Sequence, residues 1–246
     1  MSRTRVKDLL NHTDEDVTLK GWLYNRRSSK KFHFVLLRDG SGIVQCIVTK
    51  AEMDEEAFEA IGKIPYESAI EIRGKANADE RSPGGVEIHA TAVDVISEAE
   101  EYPISKQEHG PDFLLSHRHL WLRSKKQVAI MHIRNEVLKT IRDDMHERGF
   151  HCIDAPVFTP NSCEGTSTLF EVDYFDDEKA YLTQSGQLYM EAAAMALGDV
   201  YCLGPTFRAE KSKTRRHLTE FWMFEPEMAF AGIDEVMDLA EAMLQK

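Results

Sequence analysis

The segment at positions 205–227, PTFRAEKSKTRRHLTEFWMFEPE, carries the side chains that could do chemistry. Five cations lie between positions 208 and 216, although the chain has a formal net charge of -12. A solvated loop is the ordinary explanation for such a charge run. The flanking residues favour a different one, because they alternate like two strands that this loop would connect.

If GPTFRAE and TEFWMFEPE are the strands of a hairpin, period-two alternation puts Arg208 and Glu210 on one face, and Phe221 and Glu225 on one face. A guanidinium, carboxylates and a flat ring on a shared sheet surface suit a purine nucleotide, because they can bind phosphate, an exocyclic amine and the base. An exposed salt-bridged face would give the same pattern. Neither GxxxxGKS/T nor GxGxxG occurs, so binding would depend on side chains of the sheet.

The composition is that of an ordinary globular protein of 246 residues, with 42% hydrophobic and 29% charged residues. No apolar stretch could cross a membrane and no secretory signal begins the chain, so we expect a cytosolic protein without a membrane partner. Four widely separated cysteines form no CxxC pair and predict neither a zinc site nor a disulfide framework. Residues 20–38 carry six cations and no acid, which favours a selective nucleic-acid partner.

Two domains would have to position these side chains. In residues 1–103, five stretches alternate apolar and polar residues, and a short helix is predicted between the third and the fourth. This order is typical of the OB fold, although an SH3-like or other small barrel has a similar pattern. Residues 104–124 lose periodicity and are predicted to be a linker. Residues 125–246 alternate helices with strands, including one at HCIDAPVF, so the chain as a whole is predicted to be α+β.

Three stretches resemble class II aminoacyl-tRNA synthetases of the aspartate, asparagine and lysine subgroup. FRAEKSKTRRHLTEFWMFEPE is similar to motif 2 of that family, and RGFHCIDAPVFTP is similar to motif 1, whose proline is Pro156. GWLYNRRSSKKFHFVLLRDGSG is similar to the anticodon-binding domain of the subgroup. The resemblance implies an N-terminal OB-fold barrel, followed by the first part of an antiparallel catalytic sheet, in a homodimer with Pro156 at its interface.

The resemblance also implies a two-step reaction. An amino-acid carboxylate attacks the α-phosphate of ATP, and the aminoacyl group then passes to the 3′ end of tRNA. Because the nucleophile is already ionised, catalysis would depend on alignment and on stabilisation of charge at the phosphate, which is the role implied for Arg208. Glu210 and Phe221 would hold adenine. The loop residues that the resemblance assigns to ATP or the tRNA acceptor end are Arg216, His217 and Leu218.

YLTQSGQLYMEAAAMALGDVYCLGPTFRAE most resembles the asparagine-specific branch of the subgroup. Aspartate-specific relatives place a lysine at Met190 and an aspartate at Glu225. Methionine cannot pair with a carboxylate, whereas Glu225 would accept from the side-chain amide of asparagine and repel aspartate. Glu164 resembles the residue that holds the α-ammonium group, and Gln187 the residue that orients the amino acid. The implied partners are asparagine, ATP and tRNA(Asn), and not DNA.

On the barrel, the resemblance places Phe34 against the central anticodon base and Gln45 on the pairing edge of that base. Arg26 would follow the RNA backbone or a neighbouring base. A ring buried in the barrel core is the ordinary alternative for Phe34.

Motif 3 of the family, with its arginine for ATP and its nearby carboxylates for Mg²⁺, does not occur in this sequence. We therefore expect this chain to have little activity by itself, with no metal site and with apolar surface exposed where motif 3 would pack. Three interpretations stay open. They are an asparagine-specific enzyme, an aspartate-specific or amidating relative that Met190 and Glu225 disfavour, and a tRNA-binding module without catalysis.

Overall fold

The computed structural model describes residues 3–104, 107–163, 168–212, 214 and 216–246. The chain divides into two compact units, Met1–Trp121 and Leu122–Lys246. The strands and helices of the first unit are β1 (Asp16–Ser28), β2 (Phe32–Arg38), β3 (Ile43–Thr49), α1 (Glu55–Ile61), β4 (Ala69–Ala78), β5 (Val86–Ser97), α2 (Pro111–Ser116) and α3 (Arg118–Trp121).

The first unit contains a closed five-stranded barrel with the strand order β1-β2-β3-β5-β4. Strands β3 and β5 pair in parallel and the other neighbours pair antiparallel. The inward side chains alternate along each strand, and Leu19, Leu37 and Ile72 have no exposed surface. Gly74 permits closure, because a Cβ atom there would lie 2.1 Å from the backbone oxygen of His89. The predicted OB-fold barrel with one helix between β3 and β4 is confirmed.

A buried histidine attaches α1 to the barrel. His33 is 4% exposed, and its ring stacks on Phe58 of α1 with the centroids 4.0 Å apart. Its Nε2 lies 2.9 Å from the Phe58 oxygen and its Nδ1 lies 2.7 Å from Ser28 Oγ. A carbonyl can only accept, so Nε2 carries the proton and Nδ1 accepts from the Ser28 hydroxyl. Burial lowers the pKa of the His33 imidazole, and the neighbouring Arg26 charge lowers it further.

We expect the stability of the native chain to fall as the pH drops below about 6.5, the ordinary pKa of histidine. The unfolded chain then binds a proton that the buried His33 excludes, so the free energy of unfolding falls until the pH reaches the lowered pKa of the folded state and then levels off. Urea denaturation of the wild type and of His33→Asn at several pH values measures this. The exposed His132→Asn serves as the control. An equal loss of stability on acidification in His33→Asn and the wild type would contradict the prediction.

The elements of the second unit build two small sheets flanked by helices. They are α4 (Lys125–Glu147), β6 (His151–Cys152), β7 (Phe158–Thr159), β8 (Glu171–Asp173), β9 (Lys179–Leu182), α5 (Gln187–Leu197), β10 (Val200–Phe207), β11 (Glu220–Glu227) and α6 (Ile233–Leu244). One sheet has the order β11-β10-β6 and the other has the order β7-β9-β8. In the part of the chain that the structure describes, no helix is long and apolar enough to span a membrane.

Each face of the β10–β11 hairpin packs against different helices. On one face, Tyr201 and Leu203 form a buried cluster with Met145 of α4 and Leu239 of α6. On the other face, Val200 and Cys202 pack with Met190 of α5. The hairpin is therefore fixed from both sides, and its second face is directed toward the N-terminal end of α5.

Three segments differ from the predicted secondary structure. HCIDAPVF is not one strand, because His151–Cys152 and Phe158–Thr159 belong to different sheets and Pro156 lies between them without an N–H to donate. Strand β10 ends at Phe207, so Glu210 lies in the following loop. The segment predicted as a linker, 104–124, contains the short helices α2 and α3.

Candidate functional site

The register of the hairpin decides which side chains meet. Thr206 pairs with Phe221, Gly204 with Met223 and Cys202 with Glu225. Phe221, Met223 and Glu225 therefore project from the same face of β11, the face that is directed toward α5. The segment Thr183–Gly186, which enters α5, is buried and lies against this face.

Arg208 lies directly after β10 and is held by backbone groups. Its N–H donates to the Thr219 oxygen at 2.9 Å, which closes the hairpin beyond the last strand pair. Its guanidinium donates to the Gln184 oxygen and to the Phe207 oxygen. Arg208 Cζ lies 5.3 Å from the centre of the Phe221 ring. The prediction that Arg208 and Phe221 share one face is confirmed, and together they present a cation beside an aromatic surface.

The loop between the two strands carries the remaining predicted nucleotide contacts. Glu210, Arg216, His217 and Leu218 are all exposed. His217 Nδ1 forms a hydrogen bond with Thr214 Oγ1. Their side chains are thus available to solvent and to a ligand, and their roles stay predictions.

The carboxylate of Glu225 accepts three hydrogen bonds. One carboxylate oxygen accepts from the Ser185 hydroxyl, and the other accepts from the Gly186 N–H at 3.1 Å and the Cys202 thiol at 3.3 Å. Gly186 is required by this approach, because a Cβ atom there would lie 2.6 Å from Cys202 Sγ and 3.3 Å from Glu225 Oε2. A carboxylate has about four lone-pair positions, so three donors leave roughly one for a ligand.

Two cavities flank Glu225 and the start of α5. One of about 230 Å³ is lined by Glu225, Gly186 and Thr206 among others, and one of about 260 Å³ is lined by Pro156, Cys163 and Gly186 among others. Neither of these two cavities includes Arg208 or Phe221, which are both half-buried. The described residues therefore place a partly open cavity beside Glu225, and the cation and aromatic ring lie outside it.

The other predicted amino-acid contacts have different positions. Gln187 is exposed at the first turn of α5, and its amide donates to Glu191 at 3.0 Å. Met190 has no exposed surface and packs with Val200 and Cys202, so a direct contact with a ligand is not available to it in this conformation. Glu164 lies outside the described residues. The roles of all three in binding an amino acid stay predictions.

Some residues of the site were not predicted from the sequence. Glu227 follows Glu225 by two positions on the same face, and burial together with Glu191 and Glu225 raises the pKa of its carboxyl. Period-two alternation along β11 puts Glu227 on the face of Glu225, but no motif gives it a role. Ser185 and Cys202 reach Glu225 from 40 and 23 positions away, and no local pattern indicates these contacts.

The outer surface of the barrel collects aromatic, cationic and amide side chains. Phe34 pairs with Arg27 across β1 and β2, and Arg27 Cζ lies 5.8 Å from the Phe34 ring. Phe32 lies 6.2 Å from Phe34, and Gln45 follows on β3. Phe34 is half-buried rather than part of the barrel core. This surface can stack a base and bind phosphate.

Two neighbouring arginines of β1 have different surroundings. Arg26 pairs with Val35, a core residue, whereas Arg27 pairs with Phe34. The Arg26 guanidinium donates to the Ile61 and Ile64 oxygens at 2.8 Å each, at the C-terminal end of α1. These hydrogen bonds orient a guanidinium that is half-buried, and the role of Arg26 as an RNA contact stays a prediction. Arg27 is exposed beside Phe34 and adds a second cation to this surface.

Comparisons with known proteins agree with this arrangement. Residues 110–246 match a family model described as tRNA synthetases class II (D, K and N), and residues 17–96 match one described as OB-fold nucleic acid binding domain. An asparagine–tRNA ligase of Sorangium cellulosum is 58% identical over 240 residues, which are 97% of this chain and 54% of that protein. One of Pelotomaculum thermopropionicum is 52% identical over 244 residues, which are 99% of this chain and 56% of that protein.

A solved structure supports the same relationship. The crystal structure of asparaginyl-tRNA synthetase from Pyrococcus horikoshii complexed with asparaginyl-adenylate has a TM-score of 0.92 and 39% identity, over 99% of this chain and 56% of that chain. The chain spans about half the length of the curated relatives that it matches. The family model covers more than half of this chain and the fold agrees with it. The chain therefore belongs to the class II tRNA synthetases of the D, K and N group.

Proposed function

We propose that the protein containing this chain is an asparaginyl-tRNA synthetase, which activates asparagine with ATP and transfers it to tRNA(Asn). The observation that carries the proposal is the single hairpin face on which Arg208, Phe221 and Glu225 are held close to the start of α5. This face brings together a cation that can bind phosphate, a ring that can stack on a base and a carboxylate that can accept from an amide. The relatives named asparagine–tRNA ligase support asparagine as the amino acid.

In this proposal, the chain contributes alignment and electrostatic stabilisation. The carboxylate of asparagine attacks the α-phosphate of ATP, and Arg208 stabilises the charge that develops on the phosphate oxygens. Phe221 stacks on adenine and Glu210 accepts from its amine. Arg216, His217 and Leu218 cover the distal phosphates or the tRNA acceptor end. Among the described residues, no group of three or more His, Cys, Asp or Glu side chains could hold a metal ion.

Selection of asparagine is assigned to Glu225, with Glu164 and Gln187 holding the α-ammonium group and the backbone of the amino acid. The fixed carboxylate of Glu225 accepts from the side-chain amide of asparagine and repels the carboxylate of aspartate. Met190 contributes no charge that could attract aspartate.

Asparagine-dependent pyrophosphate exchange by the intact protein tests the proposal, run in parallel with aspartate. Exchange with asparagine alone supports it. Exchange that is faster with aspartate would favour an aspartate-specific or amidating relative, and binding of tRNA without exchange would favour a non-catalytic module. The barrel surface around Phe34 is the observation that keeps this last function in consideration.

We propose that Arg26, Phe34 and Gln45 bind the anticodon of tRNA(Asn), with Arg27 beside Phe34 as a further cation. Phe34→Ala should weaken binding of the anticodon stem-loop by roughly 5-fold to 150-fold, because stacking of one base contributes about 1–3 kcal/mol. Filter binding or fluorescence anisotropy with the labelled stem-loop measures this affinity. Phe175→Ala is the control, since Phe175 is 75% exposed in the other unit. Unchanged affinity in Phe34→Ala would remove Phe34 from the assignment.

We further propose that the protein acts in the cytoplasm as a homodimer, with Pro156 and α4 at the interface. Ile133 and Val137 of α4 are 65% and 51% exposed, and Ile130 is 41% exposed. These three side chains follow the helical repeat and form one apolar stripe. An exposed stripe of this kind favours association between protein surfaces.

A further inference from the structure

The thiol of Cys202 is the least expected group around Glu225. Cys202 is 3% exposed and lies on β10 directly opposite Glu225 on β11. Its Sγ donates to Glu225 Oε2 at 3.3 Å. Burial and the Glu225 charge raise the pKa of this thiol to about 12. Cys202 therefore keeps its proton and acts as a hydrogen-bond donor throughout the neutral range.

Three donors from two chain segments define the position of Glu225. Ser185 and Gly186 belong to the buried segment before α5, and Cys202 belongs to the central strand of the sheet. The thiol and the Gly186 N–H both donate to Oε2, while the Ser185 hydroxyl donates to Oε1. Loss of one donor removes one of the three hydrogen bonds that orient the carboxylate. Of these three donors, only the Cys202 thiol links the Glu225 side chain to strand β10.

The surroundings leave Cys202 little room to move. A Cβ atom on residue 186 would lie 2.6 Å from its sulfur, so the Gly186 backbone is in close contact with it. On another side, Met190 and Val200 form a buried cluster with Cys202. Met190 therefore contacts the residue that holds Glu225, although it has no surface of its own on the site.

We propose that Cys202 is a positioning residue for amino-acid selection, which orients Glu225 so that its remaining lone pair accepts the side-chain amide of asparagine. This inference rests on the proposed function. It extends that function because Cys202 does not touch the substrate, and it gives the buried Met190 an indirect role through packing on Cys202.

Two replacements of similar size separate hydrogen bonding from packing. Cys202→Val keeps an apolar side chain at this position and removes the donor, whereas Cys202→Ser keeps a donor. In the intact protein, Cys202→Val should raise the KM for asparagine and reduce the preference for asparagine over aspartate by about tenfold, with a smaller change in kcat. Cys202→Ser should restore most of the preference. Cys46→Val is the control, because it makes the same replacement at a buried cysteine of the barrel.

A second measurement tests the contact between Cys202 and Glu225 in the absence of substrate. In protein labelled with ¹³C at cysteine Cβ, Glu225→Gln should lower the pKa of Cys202, because the charge and the hydrogen bond of Glu225 both raise it. An unchanged pKa would overturn the inference whatever the activity.

The kinetic outcomes distinguish this inference from the proposed function. If the wild type prefers asparagine and Cys202→Val keeps that preference in full, the positioning role is wrong and the proposed function stands. If Val and Ser lower the preference equally, packing rather than the donor is responsible and the inference is also wrong. If the wild type activates aspartate in preference to asparagine, the proposed function fails and the inference fails with it.

Discussion

Arg208→Ala should lower the rate of asparagine-dependent pyrophosphate exchange in the intact protein by about 1,000-fold, the effect expected when a preorganised donor to developing charge is removed. The backbone bonds of Arg208 explain why the effect should be large. Its guanidinium is already oriented by the Gln184 and Phe207 oxygens and by the Phe221 ring, so it need not reorganise when ATP binds. The decrease should lie mainly in kcat.

Arg208→Lys provides the matched comparison, since it keeps the charge and loses the planar fork that binds two oxygens at once. We expect it to recover only part of the activity. Lys211→Ala, in the same exposed loop, controls for a general loss of positive charge. Exchange within a factor of a few of the wild type in Arg208→Ala would show that this guanidinium does not act at the reacting phosphate.

Glu225→Gln should reduce the discrimination between asparagine and aspartate by about a hundredfold, because repulsion between like charges contributes several kcal/mol to specificity. The glutamine amide can donate to aspartate where the carboxylate repelled it. The NH₂ group of this glutamine would also face the Gly186 N–H and the Cys202 thiol, which are both donors. Because two donors cannot pair with each other, asparagine activation should weaken as well. The ratio of kcat/KM for the two amino acids measures the effect.

Glu220→Gln is the control for this substitution, because Glu220 begins the same strand and is exposed. Equal ratios of kcat/KM in Glu225→Gln and the wild type would assign the discrimination to other residues. Thermal denaturation of both variants shows whether a change in the ratio reflects the site or the stability of the hairpin.

The sequence predicted the barrel well because its local signals agree with its fold. Alternating strands, the turn at RDGSG and one short helix leave few arrangements that bury the apolar side chains. The hairpin of motif 2 was predictable for the same reason, including the shared face of Arg208 and Phe221. In the barrel and in this hairpin, period-two alternation predicts which side chains share a face of the sheet.

The contacts that the sequence could not show are those between distant segments. Arg26 and Arg27 are adjacent and chemically identical, and only the register with Val35 and Phe34 separates their surroundings. The donors around Glu225 converge from different elements, so no spacing in the sequence indicates them. HCIDAPVF has the composition of one strand, but tertiary pairing divides it between two sheets.

This division of residues 151–159 has a practical consequence for protein engineering. Ile153 N–H donates to Tyr201 in one sheet, and Thr183 N–H donates to Val157 while the Thr183 oxygen accepts from Phe207. The residues between Ile153 and Val157 therefore fix the distance between the two sheets. A deletion or insertion there would shift two registers at once, whereas a change of length at the exposed residues Lys211 and Ser212 lies outside both pairings.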